Sequence, residues 1–305
     1  MKKKLVIGSR ASRLARIQTQ LVARRLKETF PELELEIRTM ETTGDRRQDL
    51  SLDSLGGKGV FIKELDLALL QGEIDLAVHS LKDMPMEVTP GLGVAVFSQR
   101  EDPRDALVLP SGKEAWDGRG VIGCSSFRRK LQAEKLFPEA RFKDIRGNVP
   151  TRLEKLDKGE YDALILAAAG LRRLGLEERI FRCFEPEEML PAAGQGTLAV
   201  TMREEEDREL IQALEDPAAC RIAREERAFV RALGGGCSSP VAAYGELEER
   251  ALLLRGLYYD EKSGNYQIGS RKEALEAATG MGAALAEELR EAASRQQEPT
   301  GRQGE

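Results

Sequence analysis

The chain has 305 residues, room for two or three domains, and 41% of them are apolar. Its 47 Lys and Arg against 52 Asp and Glu leave a net charge of −5, which excludes the basic surface that general nucleic-acid binding needs. A single histidine, His79, excludes multi-histidine metal sites, and four cysteines without a CxxC pair exclude a zinc ribbon, so no metal is expected.

Lys4 to Gly8 is expected as a short buried strand. A helix follows, with Leu14, Ile17, Leu21 and Leu26 on one face and Ser12 as its N-cap. Leu33 to Met40 alternates as a strand, Val60 to Leu70 reads as a helix, and Ile74 to Val78 as a second buried strand. This βαβαβ order implies a mostly parallel sheet with helices packed on it. Three words then recur in the same order. Val6-Ile7-Gly8-Ser9-Arg10 returns as Val121-Ile122-Gly123-Cys124-Ser125-Ser126, and Phe30-Pro31-Glu32 as Phe137-Pro138-Glu139. Gly72-Glu73-Ile74-Asp75 returns as Gly159-Glu160-Tyr161-Asp162. The repeat implies two similar α/β lobes facing a cleft.

The remainder differs. Glu204 to Leu233 is charged with helical apolar spacing, and Leu252 to Tyr258 and Tyr266 to Ile268 read as strands joined by the polar turn Asp260 to Asn265. Ala274 to Leu289 reads as an Ala-rich helix, which completes a small α+β domain. From Ala293 to Glu305 apolar spacing is lost and a disordered tail is expected. The apolar run Leu5 to Ile7 is too short for a signal peptide, and Ala163 to Leu171 falls short of the ~20 residues of a membrane helix. The expectation is a cytoplasmic protein with reduced thiols and no membrane partner.

The presumed cleft is crowded with arginine. Arg10 follows the first strand, Arg128 and Arg129 open the helix after Gly123, and Arg146 and Arg152 flank Gly147-Asn148-Val149. Strand C-termini and helix N-termini are where open α/β sheets bind ligands, and Arg forks take carboxylate or phosphate. An anionic ligand is therefore expected; composition does not separate the two anions. The glycine-rich Leu55 to Phe61 lacks P-loop spacing, and Thr42 to Lys58 reads either as a mobile lid or as a plain surface loop. Lys82 and Asp83 place a cation and a carboxylate at a strand end, as an ion pair or as a proton-handling group. Gly234-Gly235-Gly236-Cys237 holds a cysteine on a sterically open loop, the setting of a sulfur carrying a bulky adduct.

Taken together these segments resemble the porphobilinogen deaminase (hydroxymethylbilane synthase) family from Met1 to roughly Leu289. The match is carried by Gly8-Ser9-Arg10-Ala11-Ser12, Gly57 to Leu65, His79 to Pro85, Ser125 to Arg129, Arg146 to Val149, Gly194-Gln195-Gly196 and Gly234 to Cys237. The resemblance implies two periplasmic-binding-protein-like (type II) α/β lobes plus a small C-terminal α+β domain. The lobes would be 1–98 with 195–215 and 99–194, the C-terminal domain 216–292 and the tail 293–305. It implies a monomeric transferase of heme biosynthesis that joins four porphobilinogen molecules head to tail with loss of ammonia. It also implies a dipyrromethane cofactor in thioether linkage to Cys237. By the same resemblance Asp83 is catalytic. Lys82, Arg128, Arg129, Arg146, Ser125 and Ser126 bind cofactor, and Arg10, Ser12, Gln18, Arg152, Arg173 and Gln195 bind substrate. Lys58 and Phe61 belong to an active-site loop. Each pyrrole carries an acetate and a propionate, which fits an Arg-rich cleft in an acidic chain. There are departures: Arg13 stands where members usually have proline, Cys124 where threonine is common, and Phe127 where leucine is common. The competing reading is a non-catalytic two-lobed anion-binding protein.

Overall fold

The computed structural model describes residues 3–42, 44, 62–97, 100–205, 208–235 and 240–295. Lys58, Phe61 and Cys237 lie outside the described residues, as does the segment read as a lid or surface loop apart from Thr42 and Gly44. The first elements are β1 (Lys4–Arg10), α1 (Arg13–Thr29), β2 (Glu34–Met40), α2 (Lys63–Leu70), β3 (Leu76–Ser80) and β4 (Leu92–Phe97). Next come β5 (Asp105–Val108), β6 (Gly120–Gly123), α3 (Phe127–Leu136), β7 (Ala140–Lys143), α4 (Val149–Asp157), β8 (Ala163–Ala167), α5 (Ala168–Arg173) and β9 (Ile180–Cys183). Then follow β10 (Leu198–Arg203), α6 (Arg208–Leu214), α7 (Pro217–Ala232), β11 (Ala242–Glu248), β12 (Ala251–Asp260), β13 (Asn265–Ala274) and α8 (Met281–Arg295).

Among the described residues the strands form three sheets. Two have matching order, β2-β1-β3-β10-β4 and β7-β6-β8-β5-β9, and the third is β11-β12-β13. In each large sheet the second strand in order is parallel to both neighbours, and the fourth runs antiparallel to both of its own. The sheets are thus mostly parallel, as the βαβαβ order implied, with one reversed strand each. That reversed strand is also where the chain changes lobe: β5 follows β4 into the second sheet, and β10 returns to the first. The two crossings lie against each other. Glu101 N donates to Gly196 O at 3.1 Å. Gly196 has φ +90, and a Cβ there would stand 2.1 Å from Glu101 O, so only glycine fits.

The repeated words fold alike. Val6 N donates to Asp75 Oδ2 at 2.8 Å, and Val121 N to Asp162 Oδ2 at 2.7 Å. In return Asp75 N donates to Val6 O and Asp162 N to Val121 O, both at 2.8 Å. The recurring Gly-Glu-x-Asp word is therefore a clamp that fixes strand register by the same pair of bonds in each lobe. Phe30 and Phe137 each close the preceding helix, their N–H groups bonding Leu26 O and Ala133 O at 2.8 Å.

Several expectations shift. The buried face of α1 is Ala15, Gln18, Thr19, Val22 and Leu26, whereas Leu14, Ile17 and Leu21 are half-buried. The face turns by one position because Gln18 and Thr19 satisfy their polar groups inside, on Ser80 Oγ and Ala15 O. The charged segment after Glu204 is two helices, broken where Asp216 caps α7 and Pro217 takes the first turn, the one helical place that tolerates proline. The C-terminal helix begins at Met281, since residues up to Ala274 belong to β13, and it continues to Arg295 with Ala293 buried. Residues 293–295 are therefore helical where a disordered tail was expected. β11 carried no expectation at all.

Candidate active site

The cleft between the two large sheets has a volume of about 580 Å³ and is walled by the C-terminal ends of their strands and by the helix starts that follow. From the first lobe come Arg10 at the end of β1, Ser12, Arg13, Gln18, and Lys82 with Asp83 in the single turn after β3. From the second come Arg129 on α3, Arg146 to Pro150 at the start of α4, Arg152, and Arg173 at the end of α5. Gln195, Gly196 and Thr197 of the second crossing form part of the lining. The described lining holds seven Lys and Arg side chains against two carboxylates, Glu41 and Asp83, the reverse of the balance in the whole chain.

Local chemistry sets these side chains. Ser12 Oγ accepts from Ala15 N at 3.3 Å and so caps α1, which leaves Arg10 just outside the helix end. Gln18 Nε2 donates to Ser80 Oγ at 2.9 Å, tying α1 to the strand end that precedes Lys82. Arg152 Nε donates to Gly147 O at 2.8 Å, and Arg173 Nη2 to Gly196 O at 2.6 Å, so both guanidiniums are braced by backbone. Burial and the neighbouring Arg129 and Arg146 push Arg152 down to about 10. Burial, with Arg129 and Arg128 nearby, likewise pushes Lys82 down to about 8, with Asp83 and Asp105 acting in the opposite direction. Both shifts come first from burial and then from neighbouring cations, and an incoming polycarboxylate opposes both by favouring the charged forms.

The centre of the arrangement is a residue the sequence did not announce. Asp105, at the head of β5, is fully buried. Its Oδ2 accepts from Arg128 Nη1 at 2.7 Å, and its Oδ1 accepts from Arg129 Nε at 2.9 Å and from Gln195 Nε2 at 2.9 Å. Gln195 Oε1 in turn accepts from Lys82 Nζ at 3.3 Å. Burial works against the ionised Asp105, yet the Arg128 and Arg129 guanidiniums outweigh it and hold the carboxyl well below the usual carboxylate range.

Three sequence candidates take places other than the lining. Arg128 is 4% exposed and spends its guanidinium on Asp105 and on Leu190 O at 2.6 Å. Those contacts give Arg128 a part in holding the fold behind Arg129. Ser125 Oγ donates to Ile145 O at 2.7 Å and accepts from Ile145 N at 2.8 Å, locking the turn before α3 to the one before α4. Ser126 caps α3, accepting from Arg129 N at 3.5 Å. His79 bonds Thr201 Oγ1 at 3.0 Å, and burial together with Arg10 pushes it down to about 4, which makes it a satisfied structural residue. Cys124 is buried and its thiol is pushed up by that burial.

The lining fits a group bearing several carboxylates. Among the described residues, buried Arg146 Nε has no hydrogen-bond partner, and it belongs to a side chain that lines the cleft. A buried donor left this way is costly, and a ligand carboxylate would satisfy it.

The fold and site thus define a two-lobed α/β protein with a cation-lined cleft for a polyanionic small molecule. Residues 5–212 match the family model described as "Porphobilinogen deaminase, dipyromethane cofactor binding domain", and residues 220–291 the model "Porphobilinogen deaminase, C-terminal domain". The chain is 51% identical to the porphobilinogen deaminase of Acetivibrio thermocellus over 265 residues, covering 87% of this chain and 91% of that one. It is 50% identical to that of Ruminiclostridium cellulolyticum over 278 residues, covering 90% and 94%. Among solved structures it is similar to the periplasmic aliphatic sulphonate binding protein SsuA from Escherichia coli, with TM-score 0.42 and 13% identity over 100% of this chain and 95% of that one. The chain belongs to the porphobilinogen deaminase family. It is a transferase of tetrapyrrole biosynthesis with a dipyrromethane cofactor, and porphobilinogen is its substrate.

Two outcomes follow from the geometry. Asp105→Asn removes the charge that compensates two buried guanidiniums and should cost about 3–5 kcal/mol at pH 7 by denaturant unfolding. Because the folded carboxyl titrates below its unfolded value of 3.8, its stabilisation is complete above that value and disappears as pH falls through the lower folded one. The acid loss of stability should therefore be steeper in the wild type than in Asp105→Asn; parallel acid curves would count against the hub. Lys82 attracts anions only while protonated, so the affinity of a pyrrole dicarboxylate lacking the aminomethyl group should weaken as pH rises through about 8. Lys82→Met should flatten that step, and a wild-type affinity constant from pH 7 to 9 would contradict the assignment.

Proposed function

We propose that the cleft gathers the carboxylates of cofactor, growing chain and substrate on its cations and that Asp83 is the catalytic residue of the chain-extension step. The observation that carries this reading is the state of Asp83. It is exposed at the cleft, and among the described residues its carboxylate makes no hydrogen bond or ion pair at contact distance. A carboxylate set among seven cations and not held by any of them at contact distance has a natural partner in a substrate that becomes cationic. Loss of ammonia from porphobilinogen leaves such a cation, and an ionised Asp83 offsets its charge and can receive the proton released from a pyrrole.

The residue roles follow. Arg10, Arg129, Arg146, Arg152 and Arg173 hold carboxylates by charge-assisted hydrogen bonds, Lys82 adds a point charge, and Ser12, Gln18 and Gln195 position the walls. Arg128, Ser125 and Ser126 act through the turns and the Asp105 contacts that set Arg129. When bound, the dipyrromethane supplies the pyrrole carbon to which the first substrate unit is joined. Cys237 is its proposed attachment, supported by the three glycines before it and by the family match across 220–291. Lys58 and Phe61 are proposed as active-site loop residues on the family match. The division 1–98 with 195–215, 99–194, 216–292 is proposed on the sheet membership of β1 to β13. A cytoplasmic monomer without nucleic-acid or membrane partners is proposed on the net charge of −5 and on Cys124, Cys183 and Cys220, which are unpaired among the described residues.

Asp83→Asn keeps size and removes charge. It should remain folded and able to carry dipyrromethane, yet turn over at least about a hundredfold more slowly, with Asp83→Glu less damaged. Single-turnover rates and melting curves on both variants decide this. If Asp83 only holds its loop beside Lys82, the two variants will differ from wild type in melting temperature while reacting at similar rates.

A further inference from the structure

We propose that Arg13 captures the substrate: at the mouth of the cleft its guanidinium takes one carboxylate of the incoming porphobilinogen before that molecule reaches Asp83. This rests on the reading that the cleft accepts porphobilinogen, and it assigns a role to a residue whose charge the reaction has not so far needed.

Arg13 opens α1 immediately after the cap Ser12 and lines the cleft while remaining exposed. Among the described residues its side chain makes no hydrogen bond or ion pair. Exposed arginines elsewhere do find carboxylates, as Arg38 with Glu36 and Arg119 with Glu139 show. Four other cations of the lining are already engaged by the protein: Arg129 on Asp105, Arg152 on Gly147 O, Arg173 on Gly196 O and Lys82 on Gln195. Among the described residues, then, Arg13 has no bond to break before it offers its guanidinium fork to a ligand.

Its position suits an entry point. The next residue, Leu14, reaches the second lobe, where its Cδ2 lies 3.7 Å from the place a Cβ on Gly170 would occupy. Arg13 thus sits at the seam between the lobes, and α5, which carries Gly170, ends on Arg173 in the same lining. A carboxylate arriving there meets Arg13 on one wall and Arg173 on the other. It also meets the positive end of α1, a 17-residue helix with no acidic residue in its first turn.

An exposed rim charge acts on encounter and weak binding, and salt screens it. The expected signature is a change in KM without one in kcat. Arg13→Gln should raise both KM for porphobilinogen and the calorimetric Kd of a pyrrole dicarboxylate by about two- to fivefold at low ionic strength. The difference should shrink at high salt, kcat and melting temperature should hold, and Arg13→Lys should recover most of the loss. An Arg13→Gln protein with wild-type KM and Kd at low salt overturns the assignment, as does a loss confined to kcat. The two levels of failure separate cleanly. A wild-type chain that does not consume porphobilinogen overturns the functional reading, whereas an active wild type matched by its variant overturns only the role of Arg13.

Discussion

A buried carboxylate shared by two arginines is the constraint on which the site depends. An acidic chain that lines a cleft with cations faces mutual repulsion at that cleft, and guanidiniums facing one another do not stay in place unaided. Asp105 resolves this for Arg128 and Arg129, fixing both from below on hydrogen bonds of 2.7 and 2.9 Å. Because it sits on β5, the reversed strand of the second sheet, the compensation is built into the sheet itself. Through Gln195 the same carboxylate reaches Lys82 of the other lobe. The cation arrangement is thereby linked across the cleft by side chains that the ligand need not touch.

A second buried carboxylate does comparable work for the C-terminal unit. Glu226 on α7 is fully buried and pairs with Arg100 at 2.6 Å. It also accepts from Gly194 N at 2.6 Å and from Gly245 N of β11 at 2.7 Å. Arg100 Nε meanwhile donates to Gln195 O at 2.8 Å. Both crossings between the lobes and the small sheet meet at these groups. Removing either partner of such a buried pair leaves a charge uncompensated, so the contact is costly to lose even though its net contribution is modest.

Much of this was legible in the sequence because it is local. The recurring Gly-Glu-x-Asp word reports a clamp made within one lobe, Ser12 reports a cap made within four residues, and the arginines after strand ends report the topology of open sheets. What stayed hidden depends on partners far along the chain. Asp105 lies 90 residues from Gln195, and in the sequence it is only an acidic residue before an apolar run. Arg128 and Arg129 look equivalent as neighbours, and both reach Asp105, yet only Arg129 also lines the cleft. The buried face of α1 departs from the apolar spacing because Gln18 and Thr19 are polar and buried, which hydrophobic spacing cannot register. The one available hint for Asp105 is that a charged residue heading a fully apolar strand needs a partner indoors.

The central claim is that this cleft serves a covalently held dipyrromethane and builds on it with porphobilinogen. The most direct measurement is the intact mass of the purified, active chain, followed by a peptide map. The account predicts the chain mass plus an adduct made from two porphobilinogen units, located on the peptide that holds Cys237 and absent from Cys124, Cys183 and Cys220. An active preparation whose chain carries no adduct, or carries it on another residue, would contradict the account.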